Sequence, residues 1–124
     1  MRFFSLLFAL TSFIFANIVL EAFYNPQCGC CHKYFKKLEE EGFRIKRNPI
    51  PYNELVRLKA KLGIPIDKRS CHTMVSRDGK IIEGHVPPNA IREALKKENI
   101  RGVYSPHGHR SAMGGYEKDY EFIK

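Results

Sequence analysis

Long apolar runs and concentrated charge are both scarce in this chain of 124 residues. A membrane-spanning helix needs about 20 consecutive apolar residues, and the most apolar stretch, at residues 1–16, is shorter. The formal net charge is +8, but the sequence lacks the run of about five like charges that marks a basic arm. Lysines and arginines are instead interleaved with acidic residues such as Glu39 and Glu93. This dispersal is typical of a solvated surface, so we expect no nucleic-acid partner.

The N-terminal stretch has the features of a secretory signal peptide. A single positive charge at Arg2 precedes an apolar segment, and the small residue Ala16 stands where cleavage would occur. We therefore expect residues 1–16 to be a signal peptide. The mature protein is then periplasmic or otherwise exported, without stable membrane association after cleavage. An uncleaved N-terminal anchor is the alternative.

Cysteine is rare but concentrated. Three of the four cysteines, Cys28, Cys30 and Cys31, lie within four residues, and the fourth, Cys71, is followed by a histidine, as Cys31 is. Thiolates bind soft metal ions and are also the nucleophiles of disulfide exchange. Cys28 and Cys31 have the spacing of a dithiol redox site, but Cys30 adds a third thiol inside it. Because a disulfide between adjacent cysteines strains the backbone, this crowding favours a shared metal.

Three interpretations of the thiols stay open at this point. The first is a metal site, with zinc less favoured because structural zinc sites more often use paired Cys-x-x-Cys knuckles. The second is a thiol-disulfide oxidoreductase in which Cys28 attacks and Cys31 resolves the mixed disulfide. The third is a structural disulfide domain that recruits a partner. Cys71 could also be a small buried apolar residue.

The apolar periodicity predicts an α/β fold with the order β-α-β-α-β-β-α. Cys31, Phe35 and Leu38 are spaced to share one face of the first helix, and Asp78-Gly79 is a hairpin signal that favours positive φ at both positions. The predicted elements are strands at 18–24 and 43–47, helices at 33–41, 53–62 and 90–97, and a hairpin at 73–86.

This order is that of a thioredoxin-like fold, a small mixed sheet flanked by helices. In that fold the redox motif lies between the first strand and the first helix, and the loop before the third strand packs against it. Residues 28–31 and 70–73 occupy these two positions, so we expect all four thiols in one site. The helix N-terminus favours thiolates there, because its N–H groups and dipole stabilise negative charge.

Three ordered motifs carry a family resemblance. Cys-Gly-Cys-Cys at 28–31, Ser-Cys-His-Thr at 70–73 and Glu-Gly-His-Val-Pro at 83–87 together resemble the CopG-type family of exported, copper-resistance-linked proteins with a thioredoxin-like fold. The resemblance implies a function in copper handling or resistance, alongside other periplasmic copper-handling proteins. It also implies copper(I) bound by the thiolates of Cys28, Cys30, Cys31 and Cys71.

Adjacent thiolates can each bridge two soft ions, so a multinuclear copper cluster is compatible with this spacing. Interconversion of copper(I) and copper(II) by the thiols would combine the metal and redox interpretations, which leaves both an enzyme and a binding protein open. We expect a thioredoxin-like metal-binding domain at residues 17–103 and a tail containing histidine and glycine at residues 104–124.

The tail departs from the family's pattern, which is a Pro-Gly-Met-Pro…Gly-Met segment. Only Met113 remains as a thioether ligand, and His107 and His109 could replace a methionine. Their harder nitrogen atoms would admit copper(II) or zinc more readily. Tyr34 stands where the family has a tryptophan, a residue that this chain lacks.

The remaining histidines carry weaker signals. His32 and His72 each follow a cysteine directly and are weaker candidate ligands. His85 is as consistent with a hydrogen-bonding role as with a functional one. Met74, in a predicted strand, is expected in the core.

Overall fold

A computed structural model describes residues 18–105 and 120–124. The strands are β1 (Ile18–Tyr24), β2 (Phe43–Pro49), β3 (His72–Ser76), β4 (Ile81–Glu83), β5 (Gly102–Tyr104) and β6 (Glu121–Ile123). The helices are α1 (Gly29–Glu40), α2 (Tyr52–Lys61) and α3 (Pro88–Lys96), with a 3-10 turn at Ile66–Lys68. The predicted α/β order is confirmed, and β5 and β6 follow it. The expected signal peptide and the tail candidates His107, His109 and Met113 lie outside the described residues.

The six strands form one mixed sheet in the order β2-β1-β3-β4-β5-β6. β1 pairs in parallel with β2 and antiparallel with β3. In the second pairing Tyr24, the last residue of β1, lies opposite His72, the first residue of β3. The chain that leaves β1 and the chain that enters β3 therefore meet at one edge of the sheet. This register brings the two cysteine segments together.

α1 packs its apolar face on this sheet. Cys31, Phe35 and Leu38 are fully buried, as their spacing predicts, and Met74 lies in the same core. The helix begins at Gly29, earlier than predicted, so Cys30 and Cys31 belong to its first turn. The thiols are therefore attached to a helix end that is anchored by core packing rather than to a free loop.

The hairpin between β3 and β4 is present, but its turn differs from the one predicted. Among the described residues only glycines have positive φ, and in this turn the residue is Gly79, at +85°. The N–H of Gly79 donates to the carbonyl of Ser76, and the N–H of Ser76 donates to the carbonyl of Lys80. The expectation of positive φ at Asp78 is wrong because a longer loop, with glycine alone in the left-handed region, closes the hairpin.

Candidate metal centre

The first three thiols occupy the N-terminal end of α1. Cys28 is the residue preceding the helix, and its carbonyl accepts from the N–H of Cys31 at 3.2 Å. Its own N–H donates to the carbonyl of Asn25 at 3.0 Å. No side chain of the described chain caps this helix end. The sulfurs therefore lie near the first turn of a helix whose N–H groups are not capped by a side chain and favour negative charge nearby.

Cys71 joins these thiols from the loop before β3. Its sulfur lies 3.4 Å from the sulfur of Cys31 and 3.9 Å from that of Cys30, which in turn lies 3.4 Å from the sulfur of Cys28. All four sulfurs fall within 4.8 Å of one another. Ligands bound tetrahedrally at 2.0–2.3 Å stand about 3.3–3.8 Å apart. The three sulfur pairs just given thus have about the spacing of ligands that share a metal, whereas the sulfurs of Cys28 and Cys31 are bonded to each other.

The structure joins Cys28 and Cys31 in a disulfide, with their Cα atoms 5.4 Å apart. Cys30 and Cys71 are free thiols. Cys28 is partly exposed, whereas Cys31 is buried. A disulfide removes two thiolates from the site, so the four-sulfur group requires the reduced protein. The same helix end can therefore hold metal or undergo disulfide exchange, depending on its oxidation state.

A second group of donors shares two of these thiols and lies deeper. Nδ1 of His72 lies 3.5 Å from the sulfurs of both Cys31 and Cys71, and Nε2 of His85 lies 3.5 Å from the sulfur of Cys71. These four donor atoms are also within 4.8 Å of one another. His72 is 0% exposed and His85 is 3% exposed.

Sequence reasoning named His72 as a weak candidate and left His85 open. The hairpin register was the signal that could have brought them together, because it pairs Thr73 with Glu83. The next N–H, that of Gly84, then donates to the carbonyl of His72. The two imidazole rings stack with a centroid distance of 5.2 Å, and Tyr34 stacks on His85 at 4.7 Å.

Burial determines the protonation of these inner groups. It lowers the pKa of His72 well below its usual value, aided by His85 and Lys59. His72 is therefore neutral near pH 7, and its Nε2 has no hydrogen-bond partner among the described residues. Burial, and then the charge of Cys30, raise the pKa of the Cys71 thiol to about 11. A metal ion that binds there must displace the proton of this thiol.

His32, a weaker candidate from the sequence, lies outside both groups of donors. Nε2 of His32 lies 3.3 Å from the carbonyl oxygen of Pro26, and its ring contacts the edge of Tyr24. It belongs to neither donor group of the described chain.

A buried ion pair that sequence reasoning missed lies beside the site. It joins Lys59 of α2 to Glu83 at the end of β4, with Nζ 2.5 Å from the carboxylate oxygen. The alternation of lysines along α2 made Lys59 resemble a solvent-facing residue, so no local signal indicated its burial.

The fold and the donors define the class of protein: a thioredoxin-like α/β domain with a sulfur-rich group of donors, able to hold a metal ion, at the first strand-to-helix junction. The donor set fits a soft metal ion, because it combines thiols with imidazole nitrogens in a largely buried position. In the described part of the chain, no helix is both long and apolar enough to cross a membrane.

Comparisons with known proteins agree with this class. The family model described as "Protein of unknown function, DUF411" matches residues 68–114. Two solved structures, forms 1 and 2 of "Copper resistance protein copG", are each 32% identical to this chain, with a TM-score of 0.67. Each comparison covers 73% of this chain and 70% of the other. No curated protein matches. The chain belongs to the CopG-type family of copper resistance proteins.

Proposed function

We propose that this protein binds copper(I) in the periplasm and serves copper handling or resistance. The observation that carries the proposal is the convergence of four cysteine sulfurs and two histidine nitrogens into two groups, each within 4.8 Å. Thiolate sulfur is a preferred ligand of copper(I). Similarity to solved copper resistance proteins supports copper over zinc.

The two donor groups suit more than one copper ion. They share Cys31 and Cys71, and a thiolate can bridge two soft ions. We propose Cys28, Cys30, Cys31 and Cys71 as the main ligands and His72 and His85 as inner nitrogen ligands. His32 and the tail residues His107, His109 and Met113 are weaker candidates.

The proposed domain organisation places the metal site outside the cytoplasm. Residues 1–16 are the proposed signal peptide, residues 17–103 the proposed metal-binding domain and residues 104–124 the proposed tail, of which Tyr104 and β6 (Glu121–Ile123) complete the sheet of that domain. Export would place the thiols where other periplasmic copper-handling proteins can deliver or receive the metal. The partly exposed Cys28 and Cys30 face the solvent side of the site, which gives such a partner access.

The test is copper binding by the exported protein, purified anaerobically and reduced. We expect several copper(I) ions per chain by elemental analysis, with the thiols protected from alkylation until a chelator removes the metal. Each single Cys→Ser variant should lower the copper stoichiometry, whereas Met74→Leu, a core change that leaves every donor in place, should not. Absence of retained copper in the wild type would refute the proposal.

A thiol-disulfide oxidoreductase is the second candidate, favoured by the disulfide between Cys28 and Cys31. The Cys28 thiolate would attack a substrate disulfide and release one substrate thiolate. Cys31 would then attack the sulfur of Cys28, release the second substrate thiolate and leave the protein oxidised. Cys31→Ser should trap a mixed disulfide and Cys28→Ser should trap none. Equal trapping by both variants would contradict this order of attack.

The two functions can be combined in one reaction. Two copper(II) ions would each accept one electron from the Cys28 and Cys31 thiolates, giving two copper(I) ions and the disulfide. Mixing the reduced protein with copper(II) should then consume two thiols for every two copper(I) ions formed. Copper(I) formation without thiol loss would exclude this route.

A further inference from the structure

The buried ion pair beside the site has an unusually complete set of partners. The Glu83 carboxylate accepts from Nζ of Lys59 at 2.5 Å, from the hydroxyl of Thr73 at 2.6 Å and from the N–H of Ser70 at 2.8 Å. Lys59 also donates to the hydroxyl oxygen of Thr73 at 2.8 Å. Glu83 and Thr73 are fully buried, and the side chain of Lys59 is 5% exposed.

Such a pair is a poor device for stability alone. Removing two charges from water costs more than their attraction usually returns, and well-packed apolar residues are often as stable or more stable. Burial lowers the pKa of Lys59 despite the opposing charge of Glu83, which shows that desolvation is the larger effect there. The ion pair therefore has a second effect besides stability, which is to hold a neighbouring segment of the chain in place.

What the pair holds is the segment that presents Cys71. Ser70 precedes Cys71, and β3 begins only at His72, so the strand ladder does not fix this segment. Glu83 binds its N–H. Gly84, at φ +84°, packs closely against Ser70, because a Cβ at Gly84 would lie 3.0 Å from the Cβ of Ser70. The segment is thus held by two consecutive residues, the last residue of β4 and the glycine that follows it.

We propose that Glu83, charge-balanced by Lys59, is a positioning residue of the copper site, which holds the Ser70–Cys71 segment so that Cys71 meets the thiols of α1. This inference rests on the proposed copper function. Outer residues that orient metal ligands typically change metal affinity by about 10- to 100-fold when they are replaced. Cys71 is the member of both donor groups that this clamp would position.

The test separates positioning from stability. In Glu83→Gln the carboxylate is lost and Lys59 is left without its counter-charge. The double variant Lys59→Met/Glu83→Leu removes both charges and the acceptor for Ser70 while keeping the volume apolar, so no buried charge is left without a counter-charge. Glu39→Gln, in the exposed pair with Arg47, is the matched control.

We expect the double variant to bind copper(I) about 10- to 100-fold more weakly than the wild type in competition with a chelator, and Glu39→Gln to bind it normally. A folded double variant with wild-type copper affinity would overturn the proposal. If either variant fails to fold, Thr73→Val removes one partner of Glu83, with Thr73→Ser as the rescue. Wild-type affinity in Thr73→Val would then count equally against the proposal.

Alkylation of the reduced, metal-free protein gives a readout that does not depend on copper. We expect Cys71 to react at least severalfold faster with iodoacetamide in the double variant than in the wild type, with the rate at Cys30 unchanged. An unchanged Cys71 rate would overturn the positioning role. A wild type that binds no copper but shows this difference would refute the copper function while leaving the clamp standing.

Discussion

Two glycines with nearly equal φ allow the energy of the contact between Gly84 and Ser70 to be measured. Gly84 has φ +84° and Gly79 has φ +85°. A Cβ at Gly79 would meet nothing within 4 Å, whereas a Cβ at Gly84 would lie 3.0 Å from both the Cβ of Ser70 and the carbonyl oxygen of Ser105. The two glycine-to-alanine variants therefore share the backbone strain and differ in packing.

The expected magnitudes follow from these two contributions. An alanine in the left-handed region costs about 1–2 kcal/mol, which is the expected loss of unfolding free energy for Gly79→Ala. Gly84→Ala adds overpacking against Ser70 and a backbone oxygen, and such insertions cost about 1–3 kcal/mol. We therefore expect Gly84→Ala to lose about 2–5 kcal/mol. For a domain of this size each kcal/mol lowers the thermal midpoint by roughly 4–8 °C.

The assay is urea unfolding of the reduced, metal-free protein, followed by copper(I) competition on the folded variants. Gly84→Ala should displace Ser70 and with it Cys71, so its copper affinity should fall while that of Gly79→Ala stays at the wild-type value. Adding Ser70→Gly to Gly84→Ala removes the side chain that the new methyl group meets. The double variant should regain part of the lost stability, with a coupling energy of about 0.5–3 kcal/mol.

Equal destabilisation by the two alanine variants would refute this reasoning, because it would mean that the close approach of Ser70 to Gly84 carries no energy. Unchanged copper affinity in a folded Gly84→Ala protein would show that the packing of Gly84 against Ser70 does not affect the metal site. Only the combination of greater instability and weaker copper binding is consistent with a clamp on the Cys71 segment.

Further predictions test the inner part of the site and the binding of copper. His85→Ala should lower copper affinity or stoichiometry in a chelator competition, whereas His32→Ala should not; identical results for the two would remove His85 from the ligand set. Tyr34→Phe should cost about 1 kcal/mol, because the hydroxyl donates to the carbonyl of Val86 at 2.5 Å. Burial raises the pKa of Tyr34 well above its usual value. Its contribution to the free energy of unfolding is therefore fully present below about pH 10 and is lost as the pH rises further. Between pH 9 and pH 11 the free energy of unfolding, measured with urea, should fall less for Tyr34→Phe than for the wild type, and an equal fall would contradict this. Copper(I) at 100 times its dissociation constant should stabilise the reduced wild type by about 2.7 kcal/mol, and an unchanged thermal midpoint would show that the folded state does not bind it preferentially.

Sequence reasoning recovered the parts of the fold that have a strong local pattern. β1 occupies the predicted residues 18–24, and the buried face of α1 has the predicted members. β5 and β6 were not predicted, because strands of three residues are too short to show a period of two. The turn type was wrong because Asp-Gly is compatible with more than one hairpin loop, and the choice depends on the register of the flanking strands.

The expectation that all four thiols lie together agrees with the structure, but the residues that bring them together were invisible locally. The three thiols near α1 are adjacent in the chain, so their proximity is inherent in the sequence. Cys71 reaches them only if β3 pairs with β1 in the observed register. Glu83 and Lys59 come from two further elements, and a charged residue gives no sign in the sequence that it will be buried.

The assembly of the site therefore depends most on its least regular member. Cys28, Cys30 and Cys31 are held by a helix whose buried face packs on the sheet, and small changes elsewhere leave their spacing intact. Cys71 precedes its strand and has no ladder partner of its own, so its distance from Cys31 depends on the contacts of Ser70 with Glu83 and Gly84. Both donor groups include Cys71. A shift of the Ser70–Cys71 segment would thus disrupt both groups at once. This is a physical reason for a buried, fully hydrogen-bonded carboxylate, rather than an apolar side chain, to bind the N–H of Ser70.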